Sequence, residues 1–174
     1  MGLISAFSDT PPSGALRGRR YGATTAAVAA TAAAGAVAVD TDNAWYRALR
    51  KPDWQPPSWA FGTVWTPLYA TIAYAAGHTL GKIEDPRRRT GFVSSLAVNL
   101  SLNAAWTWLF FTRRDPVAAL VGTVLLDLSN ADLLRRTARV DPVAARTLVP
   151  YAAWCCFATA LNASIVRRNP RRRL

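Results

Sequence analysis

Between Gly91 and Phe111 the chain runs for 21 residues without a charged side chain, GFVSSLAVNLSLNAAWTWLFF. At about 1.5 Å of rise per residue, a helix of that length crosses a hydrocarbon core of about 30 Å. A second stretch, Trp59 to Gly81, is also free of Asp, Glu, Lys and Arg. A soluble domain rarely keeps two such runs, because a helix facing water needs a polar side. The mean hydropathy of +0.09 conceals this pattern. Charges are segregated along the chain, not absent from it.

The segregated charges are mostly arginines. Lys and Arg number 21 against 10 Asp and Glu, a net charge of +11. They fall in RGRR (17–20), PRRRT (86–90), TRR (112–114), LLRRTAR (133–139) and the terminal RRNPRRRL. Such a charge invites a nucleic-acid reading. The clusters, however, punctuate apolar spans and share no single face, so no nucleic-acid partner is expected. Short basic loops beside anionic lipid headgroups account for them. Cys155 and Cys156 are neighbours in an apolar run. On a helix they point about 100° apart, which makes a mutual disulfide implausible. No Cys/His spacing suggests a metal site.

The apolar runs predict helices at about 21–39, 59–80, 91–111, 116–134 and 143–166, in an all-α integral membrane protein built as a bundle of five transmembrane helices. Residues 1–20 are expected to form a disordered basic arm and 167–174 a basic tail. Taken alone, the Ala-rich run 21–39 fits a secretory signal peptide as well as a first membrane span. Ser58 is a plausible N-cap for the second span. Pro116 and Pro142 suit helix starts. Pro67 and Pro150 fall inside spans, where each removes a backbone donor. The connection 40–58 is the only long one, and long connections in compact domains usually carry function.

Helical spacing then sorts residues onto faces. Phe61, Trp65, Leu68, Tyr69 and Ile72 form one stripe. Asn99, Asn103, Trp106 and Phe110 form a second, and Pro150, Trp154, Phe157, Ala158, Leu161 and Asn162 a third. Asparagines avoid lipid, so Asn99, Asn103 and Asn162 should point inward. A cavity walled by aromatic rings with sparse polar groups suits a large, flat, mostly apolar ligand. The alternatives are helix–helix bonding for the asparagines and interfacial anchoring for Trp45, Trp54 and Trp59. Asp127, in mid-span, is expected to bond between helices. His78, the lone histidine, is read as solvated or hydrogen-bonded in preference to a haem ligand. Gly77 and Gly81, with Ala73, make a small-residue row that could form a dimer seam.

Three ordered motifs carry a resemblance. The first is Trp45-Tyr46-x-x-Leu49-x-Lys51-Pro52-x-Trp54-x-Pro56-Pro57-x-Trp59-x-Phe61-Gly62-x-Val64-Trp65-x-x-Leu68-Tyr69. The second is Asn103-Ala-Ala-Trp106-Thr-x-x-Phe110-Phe111. The third is Pro150-Tyr151-x-x-Trp154-x-x-Phe157-Ala158-x-x-Leu161-Asn162, followed by Asn169. Together they resemble the tryptophan-rich sensory protein/translocator protein (TspO) family over about residues 21–169. The resemblance implies five transmembrane helices, a homodimer, and binding of porphyrins or haem, with cholesterol and synthetic drugs bound by animal members. It also implies that the Ala-rich run is a retained first helix and that the 40–58 loop closes a cavity.

By motif, the resemblance implies a porphyrin contact for Trp54, cavity positions for Trp65 and Trp154, a polar wall of Asn99 and Asn103, and a ligand-facing small residue at Ala158. Trp45, Phe61, Tyr69, Trp106 and Phe157 complete the expected lining. Arg47, Arg50 and Lys51 at the rim are suited to meeting propionates. The sequence departs from the family at Leu161-Asn162-Ala163-Ser164-Ile165-Val166-Arg167, which lacks the tyrosine of the proposed sterol pattern and puts sterol binding in doubt.

The expected function is a membrane receptor, sensor or carrier for tetrapyrroles that needs no cofactor, with porphyrin or haem as ligand. The composition points to a bacterial cell membrane. The alternatives are light- and oxygen-dependent porphyrin degradation, with Trp65 and Trp154 beside the macrocycle, and small-molecule transport. No nucleophile–base pair, metal site or nucleotide loop supports conventional catalysis. The absence of an evident internal repeat argues against an alternating-access pump.

Overall fold

The computed structural model describes residues 13–170, and among these there are helices but no strand. Helix α1 spans Ser13–Ala38, α2 Ala44–Ala48, α3 Ser58–Lys82, α4 Pro86–Thr107, α5 Pro116–Ala138 and α6 Pro142–Arg168. Five of the six are long, and α2 is a single turn inside the 40–58 connection. Three, α1, α5 and α6, are long and apolar enough to cross a membrane. Helix α3 falls short on hydropathy because Trp, Tyr, Thr, Gly and Pro replace aliphatic side chains along it. Helix α4 falls short because Ser94, Ser95, Asn99, Ser101 and Asn103 interrupt its apolar residues.

Three Asp-Pro pairs start three of these helices. Asp85, Asp115 and Asp141 each accept a hydrogen bond from a first-turn N–H, while Pro86, Pro116 and Pro142 occupy the first helical position. Proline is suited there because its missing N–H would be unpaired in any case. This corrects the expected start of the third span. Helix α4 begins five residues before Gly91, since Asp85-Pro86 sets the start and the arginines simply ride the first turn. Helix α3 also departs from expectation: Pro57 occupies the N-cap position and Ser58 is already helical. Helix α1 begins at Ser13, so residues 13–20 of the arm expected to be disordered are helical. Residues 1–12 and 171–174 of the expected arm and tail lie outside the described residues.

The long helices close a ring in the order α1, α3, α6, α5, α4, linked by three-residue connections at 83–85, 113–115 and 139–141. Helices α3 and α6 run unbroken through Pro67 and Pro150. Val98, Val121, Leu125, Leu128 and Val149 are exposed on the outside of the ring. The interior is tied by polar side chains. Tyr151 donates to Asn99 Oδ1 at 2.9 Å, and Asn99 Nδ2 donates to Asn130 Oδ1 at 2.7 Å. Asp127 Oδ2 accepts from Thr159 Oγ1 at 2.7 Å, joining α5 to α6.

Helix α1 is a wall of this bundle. Thr24 Oγ1 donates across to the Ala73 carbonyl at 3.1 Å. A Cβ placed on Gly77 would sit 2.6 Å from the Tyr21 ring, and one on Gly81 2.8 Å from an Arg20 nitrogen. The Ala73–Gly77–Gly81 row is therefore occupied inside the chain, where missing side chains let α1 approach α3. That use replaces the expected dimer seam.

Candidate ligand-binding site

At the α2 end of the bundle a cavity of about 450 Å³ opens between α1, α3, α4 and α6, with the 40–58 connection over it. Helix α5 contributes nothing to its lining. Each wall follows from the local sequence. On α1, Ala32, Gly35 and Ala36 fall at helical spacing and present almost no side chain, with Val39 just past the helix end. On α3, Phe61, Gly62, Trp65 and Tyr69 face inward. On α6, Ala158, Leu161, Asn162 and Ile165 repeat the same spacing.

The fourth wall depends on a change of helix type. After Thr107 the chain continues as a π-helical turn, Trp108–Thr112, in which Arg113 N–H donates to the Trp108 carbonyl at 2.9 Å. The wider turn ends at Thr112, and two residues on, Arg114 takes a positive φ of 54°. Such turns often mark functional sites. Here it brings Phe110 and Phe111 to the lining together with Trp106 and Thr107.

The rings interlock. Trp65 stacks on Tyr69 with centroids 5.2 Å apart, and Trp106 lies 6.0 Å from Phe110. Tyr46 of the connection meets Phe111 at 5.4 Å and accepts a bond from Gln55 Nε2 at 3.2 Å. Burial pushes the Tyr46 hydroxyl up from its ordinary pKa, against the opposing pull of that bond. Polar groups are few. Tyr69 donates to Asn103 Oδ1 at 3.0 Å, and Asn103 Nδ2 donates to Tyr151 at 3.3 Å. Gln55 Oε1, Trp106 Nε1 and both amide atoms of Asn162 are buried without a partner among the described residues. All three side chains belong to residues lining the cavity.

The connection is ordered by a local cap and fastened near its middle to the end of α6. Asn43 caps α2 by accepting from Tyr46 N–H at 2.7 Å. Asn169, just past α6, accepts from Arg50 N–H at 3.0 Å and donates to the Arg50 carbonyl at 2.9 Å. Because both partners are backbone groups, the clip holds the course of the loop and does not depend on the Arg50 side chain.

Of the residues expected in the site, Phe61, Trp65, Tyr69, Asn103, Trp106 and Ala158 line the cavity. The others do not. Asn99 is fully buried one turn deeper, its amide committed to Tyr151, Asn130 and Ser129. Trp154 and Phe157 close the α3–α6 seam. Trp154 stacks on Phe157 at 5.0 Å and meets Phe61 edge-on at 6.1 Å, so neighbouring rings cover it. Trp45 packs edge-on against Phe110 at 5.6 Å, behind the lining. Trp54 is exposed over Phe157, on an outer groove with Ala160, Ala163 and Ser164. The rim cations do not reach the cavity either. Arg47 is exposed, Arg50 contributes its backbone, and Lys51 Nζ sits 3.8 Å over the Tyr46 ring.

The contributions of α1, Tyr46, Gln55, Phe110 and Phe111 were missed as site residues. The small-residue spacing 32, 35, 36 was the available signal for α1. Asp141 was missed as well. It caps α6 at the opposite end of the bundle, and its second oxygen meets His78 and lies 3.0 Å from Lys82 Nζ. Burial alone would raise its carboxyl, but the Ala144 N–H, Lys82 and His78 hold it down to about 2. This network accounts for His78, which lies far from the cavity lining.

Residues 23–168 match the sequence pattern of the TspO/MBR family. The chain is 37% identical over 126 residues to the tryptophan-rich protein TspO of Chlorobaculum tepidum, covering 72% of this chain and 80% of that one. It is 36% identical over 132 residues to the human translocator protein, covering 72% and 75%. It is 34% identical over 142 residues to protein CrtK of Rhodobacter capsulatus, covering 81% and 89%.

Proposed function

The chain belongs to the TspO/MBR family, and from that premise we propose that its cavity binds a tetrapyrrole such as protoporphyrin IX or haem. Family membership and the apolar helices make it an integral membrane protein with a sensor or transport role. The finer reading is that all five long helices cross the bilayer, including α3 and α4, whose Trp65, Tyr69, Asn99 and Asn103 face inward. In this reading the protein is a homodimer of a bacterial cell membrane and requires no cofactor. The ligand is held between α1, α3, α4 and α6 under the pinned connection.

One observation carries the ligand assignment. The cavity of about 450 Å³ is walled by Tyr46, Phe61, Trp65, Tyr69, Trp106, Phe110 and Phe111, with a side-chain-poor face on α1. A slot with rings on one side and bare backbone on the other fits a broad planar molecule, which gains stacking from the rings. Asn103, Gln55 and Asn162 supply the sparse polar groups that orient such a ligand.

The test is titration of the purified protein in detergent with protoporphyrin IX, following tryptophan quenching in the dark. Saturable quenching is expected. Trp65→Phe should weaken binding by roughly two- to twelvefold, the loss of about 0.5–1.5 kcal/mol of aromatic contact. Trp154→Phe, outside the lining, should weaken it less. Absence of saturable binding refutes the reading. Light-driven loss of pigment that depends on Trp65 would replace it with the degradation reading.

A further inference from the structure

At the end of the bundle away from the cavity, a second concavity of about 450 Å³ is lined by Ile83, Arg88, Phe92, Arg136, Arg139 and Val140. We propose that this bowl is a binding site for the phosphate headgroup of an anionic phospholipid. Its arginines come from different places in the chain. Arg88 lies in the first turn of α4, Arg136 near the end of α5, and Arg139 at the α5 C-cap. Between them the floor is apolar: Phe92 and Ile83 are buried and Val140 is half-buried. A charged rim over an apolar floor matches a phosphodiester joined to glycerol and acyl carbons. A free inorganic anion would gain nothing from Phe92.

The rim holds surplus positive charge. Asp132 is shared between Arg135 at 2.7 Å and Arg136 at 2.6 Å and also accepts from Ser95. Asp85 lies 3.6 Å from Arg88 while its other oxygen caps α4. Arg139 has no carboxylate partner among the described residues. Arg136 is held in place on two sides. Asp132 takes its Nε hydrogen, and a Cβ on Gly91 would lie 2.9 Å from its Nη1, so the guanidinium rests against bare backbone. A preorganised guanidinium fork is suited to phosphate oxygens. The site lies at the ends of α4 and α5, the depth of lipid headgroups when these helices cross the bilayer.

The experiment titrates the full-length protein in neutral detergent with dioctanoyl phosphatidylglycerol, dioctanoyl phosphatidylcholine or inorganic phosphate. Native mass spectrometry reads bound adducts, and melting temperature gives a second readout. Phosphatidylglycerol should bind saturably, with phosphatidylcholine and inorganic phosphate clearly weaker. Arg139→Gln and Arg88→Gln should each weaken it by about tenfold, as expected for one charge-assisted hydrogen bond. Arg113→Gln, at the other end of the bundle, controls for bulk charge and should leave binding unchanged. Equal binding of both lipids, or an equal loss in Arg113→Gln, overturns the proposal. Inorganic phosphate binding as tightly as phosphatidylglycerol also overturns it, and would make the bowl a site for free phosphate. The two concavities share no lining residue, so these variants should leave protoporphyrin binding unchanged, and failure here is separable from failure of the cavity assignment.

Discussion

Replacing Asn169 with alanine isolates the fastening of the loop over the cavity. The side chain makes two bonds to the loop, accepting from Arg50 N–H at 3.0 Å and donating to the Arg50 carbonyl at 2.9 Å. A third, to the Ile165 carbonyl, stays within α6. Neutral hydrogen bonds contribute about 1 kcal/mol each net, and less where water competes. Together the two loop bonds hold the closed position by about 1–2 kcal/mol, so the open fraction should rise roughly 5- to 30-fold in Asn169→Ala. The helices do not depend on this clip, so helical content should not change. Hydrogen exchange at the Arg50 amide and its neighbours in 43–51 reads the opening without any ligand. Stopped-flow dissociation of protoporphyrin IX reads its consequence, with an off-rate expected to rise by the same factor. If exchange across 43–51 stays within twofold of wild type, the clip does not hold the loop and the reasoning fails.

Three further outcomes follow from the interior and from the far end. Gly77→Val places methyl groups where the Tyr21 ring already sits, 2.6 Å from the Cβ position. It should cost about 1–3 kcal/mol as overpacking between α1 and α3, read as a lower melting temperature in detergent, with Gly77→Ala intermediate. Asn99→Ala strips partners from Tyr151 and Asn130 and should destabilise by about 1–2 kcal/mol while changing porphyrin affinity less than Trp65→Phe does. Unchanged stability with lost binding would return Asn99 to the ligand wall. For Asp141, the folded-state pKa of about 2 lies below the ordinary value of 3.8. Its contribution is therefore complete above about pH 4 and lost as pH falls through 2. The melting-temperature gap between wild type and Asp141→Asn, which keeps a capping acceptor but does not titrate, should shrink across that window. A gap constant from pH 5 to pH 2 would remove the carboxylate from the account.

Much of the architecture was legible because its signals are local. Apolar runs mark the helices, and Pro116 and Pro142 mark two of their starts, while the third Asp-Pro start, Asp85-Pro86, was overlooked. Aromatic stripes at helical spacing already grouped Phe61 with Trp65 and Tyr69, and Asn103 with Trp106. The misplacements share a cause. Spacing says which residues share a face of one helix, but not how that face is rotated against its neighbours. Asn99 and Asn103 lie on one stripe, yet Asn99 meets α5 and α6 while Asn103 reaches the cavity. Trp154 and Ala158 are also one turn apart, and Ala158 lines the cavity while other rings cover Trp154.

The sequence by itself determined that this chain is helical, that most of its charges cluster near helix ends and in connections, and which family it resembles. Those properties follow from composition and order along the chain, where each residue's neighbours are known. Only the tertiary structure decided what encloses the cavity and what lies outside it. The wall formed by α1, the Asn169 clip and the Asp141 network with His78 and Lys82 each join residues far apart in sequence. Such pairings depend on how five helices rotate and approach one another. The packing of small residues against large ones sets that arrangement, as at Gly77 and Tyr21, and no single helix encodes it alone.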